Sequence, residues 1–166
     1  MKRALVTGVS WDTGIGFAIT KQLLSDGYYV YAIYHSEDST ALEILSKEFK
    51  DRVQCIQCDL TNRNSVYTLI ETLKKNTYLD AIVNNAGAFS GEENIDDYDI
   101  SEWDRVFAVN VTAPLLLSVG LKSILNPNAV IINMVSTDGQ KGSFSSISYA
   151  ASKAALINLT DSLAIN

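Results

Sequence analysis

The sequence predicts a doubly wound α/β domain, a parallel sheet with helices packed on both faces. Three observations carry that reading. Five short apolar runs alternate with segments of helical period along the chain. The runs are nearly continuous in apolar residues, as strands buried on both faces are. No internal repeat, low-complexity tract or Pro/Gly-rich linker interrupts the succession, and the 166 residues include only two prolines. One domain spanning 1–166 is therefore expected.

The strand-like runs are Ala4–Thr7, Tyr29–Ile33, Val53–Cys58, Ala81–Val83 and Val130–Val135. Between and after them lie helix-period segments, Ile15–Ser25, Ser39–Phe49, Asn64–Lys74, Ser101–Leu125 and about Tyr149–Ile165. In the first helix Ile15, Ile19 and Leu23 recur at four-residue spacing on one face. Ser101-Glu102-Trp103-Asp104 has the form of a capping signal opening the long fourth helix. Pro114 lies inside that helix and predicts a bend or a division there. Strands joined through helices require right-handed crossovers, which make the sheet parallel.

Composition narrows the function. Hydrophobic residues make up 47% and charged residues 19% of the chain, the balance of a soluble globular protein. The formal net charge is −6 with no basic cluster, which argues against a nucleic-acid partner and against a membrane surface. The N-terminus carries no signal-peptide pattern and no apolar run reaches the ~20 residues needed to span a bilayer. A cytoplasmic protein is expected. Cys55 and Cys58 form a C-x-x-C pair, but positions three apart on a strand face opposite ways, so two plain buried cysteines are expected. With a single histidine, His35, no His/Cys metal cluster can be assembled, and no metal is expected.

The first strand runs into Thr7-Gly8-Val9-Ser10-Trp11-Asp12-Thr13-Gly14-Ile15-Gly16, and a helix follows at once. Glycines there let the chain turn tightly and let the backbone approach a pyrophosphate, which the helix N-terminus then attracts. A turn with convenient glycines is the plainer alternative. Asp59-Leu60 follows the third strand, at the edge of a doubly wound sheet where ligands bind. The Asp59 carboxylate suits an adenine amino group, or it caps a helix. Asn84-Asn85-Ala86-Gly87 ends the fourth strand. Its small residues let the chain lie against a flat ligand, and its amides can tie strand ends together; an ordinary turn reads the same way.

Tyr149 and Lys153 stand four apart on the last helix and project from one face. A tyrosine with a pKa near ~10 is a poor proton shuttle at neutral pH. A neighbouring ammonium favours the phenolate, so the pair can pass a proton to a carbonyl oxygen or take one from an alcohol. Ser136 ends the fifth strand and can steady the same oxygen, or it is only a strand-end hydroxyl. Asn110 is a polar amide in an apolar helical stretch, suited to hold a water leading to Lys153 or to be satisfied within the core.

In this order, these elements resemble the short-chain dehydrogenase/reductase family, and within it the 3-oxoacyl-acyl-carrier-protein reductase-like group. The resemblance runs from Lys2 to the last residue. It implies a Rossmann-like three-layer αβα fold and a catalytic tetrad of Asn110, Ser136, Tyr149 and Lys153, with Tyr149 the acid/base. It implies an NAD(P)(H) site built from Gly8, Ser10, Trp11, Gly14, Ile15, Gly16, His35, Ser36, Asp59, Leu60, Asn85, Ala86, Gly87, Tyr149 and Lys153. Lys153 in that family also binds the nicotinamide ribose. The expected substrate is a small carbonyl compound or the matching alcohol, and the alternative is a non-catalytic NADP-binding module. Tyr34-His35-Ser36 places no acidic residue at the end of the second strand, so NADP(H) is expected over NAD(H). A homodimer, or a homotetramer containing it, is expected to form across the two long helices through Leu115, Leu116, Val119, Leu156, Leu159 and Leu163.

Two departures stand out. The glycine turn has five residues between Gly8 and Gly14, two more than is usual in the family. The chain is also shorter than family members, so the resemblance implies a sheet lacking its last two strands. Val130–Val135 is then expected to be an exposed edge, and the 166-residue form is expected to be catalytically impaired.

Overall fold

The structure is a computed structural model, and it describes residues 1–35, 40–75 and 78–165. Five parallel strands lie in the order β3-β2-β1-β4-β5, where β1 is Arg3–Thr7, β2 Tyr29–Tyr34, β3 Val53–Gln57, β4 Leu79–Asn84 and β5 Leu125–Asn133. Helices α1 (Ile15–Ser25), α2 (Thr40–Glu48) and α3 (Arg63–Lys74) connect the first four strands. Between β4 and β5 come α4 (Ile100–Phe107) and α5 (Ala113–Gly120), and α6 (Ile147–Ala164) follows β5. This is the doubly wound αβα arrangement that the alternation of runs predicted.

The inner strands are apolar because both their faces are covered. One cluster joins Leu5, Ile33 and Ile82 to Leu69, Ile70 and Leu73 of α3 and Leu117 of α5. The other joins Val6, Val30 and Val83 to Leu24 of α1 and Leu45 of α2. A buried leucine or isoleucine contributes about 1.5–3 kcal/mol through area removed from water. The two cysteines separate across the sheet, but Cys55 is only partly buried, and Cys58, which is buried, lies one residue beyond β3. Cys55 packs against the α1/α2 cluster and Cys58 lies within the α3/α5 cluster, both as free thiols.

Several boundaries differ from the sequence reading. The cap of α4 is Asp99, whose side chain accepts from the Ser101 N–H at 2.9 Å, so the helix starts before the Ser101–Asp104 pattern. The segment read as one helix over 101–125 contains α4, a wide π turn over Ala108–Thr112, and α5. In that turn the Ala113 N–H reaches back to the Ala108 carbonyl. Pro114 follows directly, and because it lacks an N–H it cannot close the ordinary turn onto Asn110. The fifth strand begins at Leu125, five residues before the expected start, since Pro127 and Asn128 (φ 68°) obscure it. It ends at Asn133, so Ser136 lies beyond it.

β5 is an edge of the sheet, with Val130 and Ile132 about half exposed. Of the apolar residues expected on a dimer face, Leu156 is buried within its own chain (1% exposed), whereas Leu115 and Val119 are exposed. Among the described residues, no helix is long and apolar enough to cross a membrane.

Asp80 ties three strands at the end of the sheet opposite the glycine turn. Its carboxylate accepts from the Arg3 N–H at 2.7 Å and from Asn126 Nδ2 at 2.9 Å. The Asn126 and Arg3 hydrogen bonds, in that order, hold this carboxyl below its ordinary value. A depressed carboxylate adds stability that is present above its unfolded pKa and lost as pH falls through the folded value. The advantage of the wild type over Asp80→Asn, measured as a urea midpoint, should therefore be full above about pH 5 and shrink progressively below about pH 4. A gap that widened on acidification would contradict this account.

Candidate active site

Parallel strands place all their C-terminal ends on one edge of the sheet, and a large cleft opens there. Its volume is about 720 Å³. The walls come from the β1–α1 turn, the ends of β2 and β3, the segment after β4, the end of β5 and the first turns of α6.

The β1–α1 turn is tight because its glycines have no side chain. Gly8 has φ +77°, and a Cβ there would stand 2.8 Å from the Ala86 Cα. A Cβ on Gly16 would collide with the Gly8 carbonyl oxygen. Gly14 is not among the lining residues, although a Cβ there would stand 3.0 Å from the Trp11 carbonyl oxygen. It is the N-cap of α1, its N–H donates to the Trp11 carbonyl at 2.9 Å, and it makes no side-chain cap bond. The first turn of α1 thus presents backbone N–H groups toward the cleft without an intrinsic anion of its own. Ser10, Trp11, Ile15 and Gly16 line the cleft beside it, with Trp11 70% exposed.

Two asparagines secure the strand ends. Asn85 Nδ2 donates to the Thr7 carbonyl at 2.8 Å, while the Asn85 and Ala86 N–H groups donate to Thr7 Oγ1. Asn84 Nδ2 donates to Asn133 Oδ1 at 2.8 Å, joining β4 to β5. These are the cross-strand ties the Asn84–Gly87 sequence suggested. Asn85, Ala86 and Gly87 line the cleft.

At the far end, Asp59, Leu60 and His35 line the wall. Asp59 Oδ1 accepts from the Thr61 hydroxyl at 2.7 Å and the Thr61 N–H at 2.9 Å, and the helix cap of α3 falls to Asn62 instead. The Thr61 hydroxyl is the main reason the Asp59 carboxyl lies below its ordinary value; His35, with Nε2 at 3.9 Å, adds to it. Ser36 lies outside the described residues.

Tyr149 and Lys153 face the opposite end. The Lys153 Nζ is 5.6 Å from the centre of the Tyr149 ring and donates to the Met134 carbonyl at 2.7 Å. The side chain is buried, which pulls its pKa down from the ordinary lysine value. Phe89 packs edge-on against Tyr149 at 5.4 Å between ring centres.

Asn110 sits behind this wall. Its Oδ1 accepts from the Ala88 N–H at 2.7 Å, and its Nδ2 donates to the Ala88 carbonyl at 3.0 Å and to Ser152 Oγ at 2.9 Å. Both amide hydrogens and one lone pair of Oδ1 are thus taken by protein groups. The side chain pins the segment after β4 to α6. Ser136 is the N-cap of a short 3-10 turn over Thr137–Gln140, its Oγ accepting from the Asp138 N–H at 3.2 Å. It stands outside the residues that line the cleft.

Sequence reasoning missed Ala88, Arg105, Val109, Met134 and Val135, all of which line the cleft. Met134 and Val135 were findable as the residues just past a strand end. Arg105 and Val109 are four apart on a helix ending in the π turn, which no sequence pattern announced.

The family model for short chain dehydrogenases matches residues 2–166. A short chain dehydrogenase/reductase of Colletotrichum higginsianum is 32% identical over 98% of this chain. An acetoacetyl-CoA reductase of Acinetobacter is 31% identical over 98%. The chain spans 62% of the length of the first and 67% of the second. A solved short chain dehydrogenase from Burkholderia cenocepacia, in complex with NADP, superposes with a TM-score of 0.87 at 32% identity, covering 98% of this chain and 67% of that one.

Removing the Asn110 amide strands the buried N–H and C=O of Ala88. Asn110→Ala should therefore lower unfolding stability by about 1–3 kcal/mol, with Asn110→Asp also destabilising because its carboxylate cannot donate. Denaturant melts read this directly, and an unchanged midpoint for Asn110→Ala would refute the clamp. With its glycine turn, its strand-end asparagines and the Tyr149/Lys153 pair gathered on one cleft, the chain belongs to the short-chain dehydrogenase/reductase family.

Proposed function

We propose that this protein is an NADP(H)-dependent oxidoreductase that reduces a carbonyl compound, a 3-oxoacyl or similar ketone, or oxidises the matching alcohol. The observation that carries the reading is the Lys153 ammonium held beside the Tyr149 ring in the wall of the cleft. The likeness to an acetoacetyl-CoA reductase supports the substrate class, and the NADP-bound Burkholderia relative supports the cofactor.

The residues present fit a dinucleotide. The Gly8/Gly16 turn leaves room that a Cβ would fill, the uncapped N-terminus of α1 suits a pyrophosphate, and Asp59 with His35 lines the adenine end. When bound, the reduced nicotinamide supplies hydride to the carbonyl carbon. Tyr149 donates its phenolic proton to the carbonyl oxygen, giving the alcohol. Lys153 would stabilise the phenolate left behind and would hold the ribose hydroxyls, while the Met134 carbonyl keeps the ammonium in place. Asn110 and Asn85 act on these groups by fixing the backbone that carries them. Ser136, whose O–H would have to turn toward the cleft to steady the substrate oxygen, stands outside the lining residues, and this placement favours the second reading, a nucleotide-binding module without turnover. The exposed Leu115 and Val119 support a homodimer or homotetramer through α5, with Leu156 excluded from its face.

Following reduced-nicotinamide absorbance over a panel of ketones separates the readings, since binding without turnover would leave only the module. Tyr149→Phe should abolish turnover while cofactor affinity stays within about threefold, because the ring is kept and only the proton is lost. Lys153→Ala should weaken both. Normal turnover by Tyr149→Phe would end the assignment. Calorimetric titration should show tighter binding of NADPH than NADH, and the reverse order would refute the NADP(H) preference.

A further inference from the structure

Helix α6 carries Tyr149 and Lys153, yet its own N-cap, Ser146, makes no side-chain cap bond. A carboxylate from elsewhere fills the place. Glu93 lies 55 residues upstream, in the segment between β4 and α4, and its Oε2 accepts from the Ser148 N–H at 2.9 Å. Its Oε1 accepts from the Ser148 hydroxyl at 2.5 Å and from the Tyr98 hydroxyl at 3.3 Å. The Glu93 N–H donates to the Ser145 carbonyl at 2.9 Å, and Ser90 Oγ lies 3.1 Å from Ser148 Oγ. Ser148 is completely buried and directly precedes Tyr149.

We propose that Glu93 is a positioning residue for the acid/base, a cap supplied from a distant segment of the same chain that locks the segment after β4 onto the turn of α6 bearing Tyr149. A negative charge at a helix N-terminus is favoured by the helix dipole and satisfies an orphan N–H. Here the charge belongs to the same stretch of chain whose Phe89 packs on the Tyr149 ring. Segment and helix therefore order together: if Glu93 lets go, Tyr149 loses both its edge-on neighbour and the fixed start of its helix. Burial pushes the Glu93 carboxyl up, but the Ser148, Ser90 and Tyr98 hydrogen bonds outweigh it and keep the group ionised at neutral pH.

The positioning role rests on the proposed acid/base function of Tyr149, and the test separates the two. In the full chain, Glu93→Ala and Glu93→Gln are compared by amide hydrogen exchange, NADPH titration and ketone reduction. Glu93→Ala should speed exchange at Ser148 about fivefold to tenfold, the size of one helix cap, with β1 and α1 unchanged. It should lower kcat by about tenfold or more while the NADPH Kd stays within about twofold, because misplacement by an ångström suffices for such a loss. Glu93→Gln keeps one acceptor oxygen and should recover most of both. Unchanged Ser148 exchange in Glu93→Ala overturns the proposal. So does a fall in kcat matched by an equal fall in NADPH affinity and Tm, which would mark a general structural role. If the wild type reduces no ketone, the acid/base reading fails, and the exchange rates by themselves decide whether the cap exists.

Discussion

A lysine that is 3% exposed must find an acceptor for its ammonium, and in this fold it finds the Met134 carbonyl. That one bond relates three parts of the molecule. Met134 continues the pairing of β5 with β4, its N–H donating to the Asn84 carbonyl at 3.0 Å. Lys153 belongs to α6, so the bond seats that helix against the end of the sheet. Tyr149, one turn earlier on the same face, is thereby held at the cleft. An unpaired ammonium at this depth would cost several kcal/mol or give up its proton, and either would undo the pair.

Around that bond, carboxamides do most of the positioning. Asn85 holds β4 to β1, Asn84 reaches Asn133 on β5, and Asn133 Nδ2 donates onward to Thr160 of α6 at 2.9 Å. Asn110 closes the circuit from the π turn to Ala88 and Ser152. The side chain of Gly87 is absent where two of these groups meet: a Cβ there would stand 3.8 Å from both Asn110 Oδ1 and Lys153 Nζ. Buried amides of this kind are costly when unpaired and rigid when paired, which suits a site that must hold small distances.

Much of this was legible in the sequence, for physical reasons that differ by element. Strands buried on both faces announce themselves as continuous apolar runs, so β1 and β2 were read to within one residue; β3, a partly exposed edge strand, was read one residue long, and β4 was read as Ala81–Val83 where it spans Leu79–Asn84. Tyr149 and Lys153 share a helix face at fixed spacing, and the glycine turn shows because a Cβ at Gly8 or Gly16 would collide with facing backbone. The start of β5 was hidden by Pro127 and Asn128, which interrupt a run that the β4 pairing nonetheless extends. The π turn was hidden because its bonding differs from an α-helix by one residue, and Pro114 reveals only that something must give. The roles of Asn110 and Glu93 depend on partners 22 and 55 residues away in sequence. No local pattern reports such contacts.

The central claim is that one continuous cleft brings the glycine turn, the strand-end asparagines and the Tyr149/Lys153 pair against a single dinucleotide. Amide chemical-shift mapping of the labelled protein during NADPH titration tests it most directly. The account predicts that shifts saturate together at Gly8–Gly16, Asp59 and Leu60, Asn85–Ala88 and Tyr149–Lys153, with the helix faces away from the cleft unmoved. Shifts confined to the glycine turn and Asp59, with none at Asn85–Ala88 or Tyr149–Lys153, would contradict it.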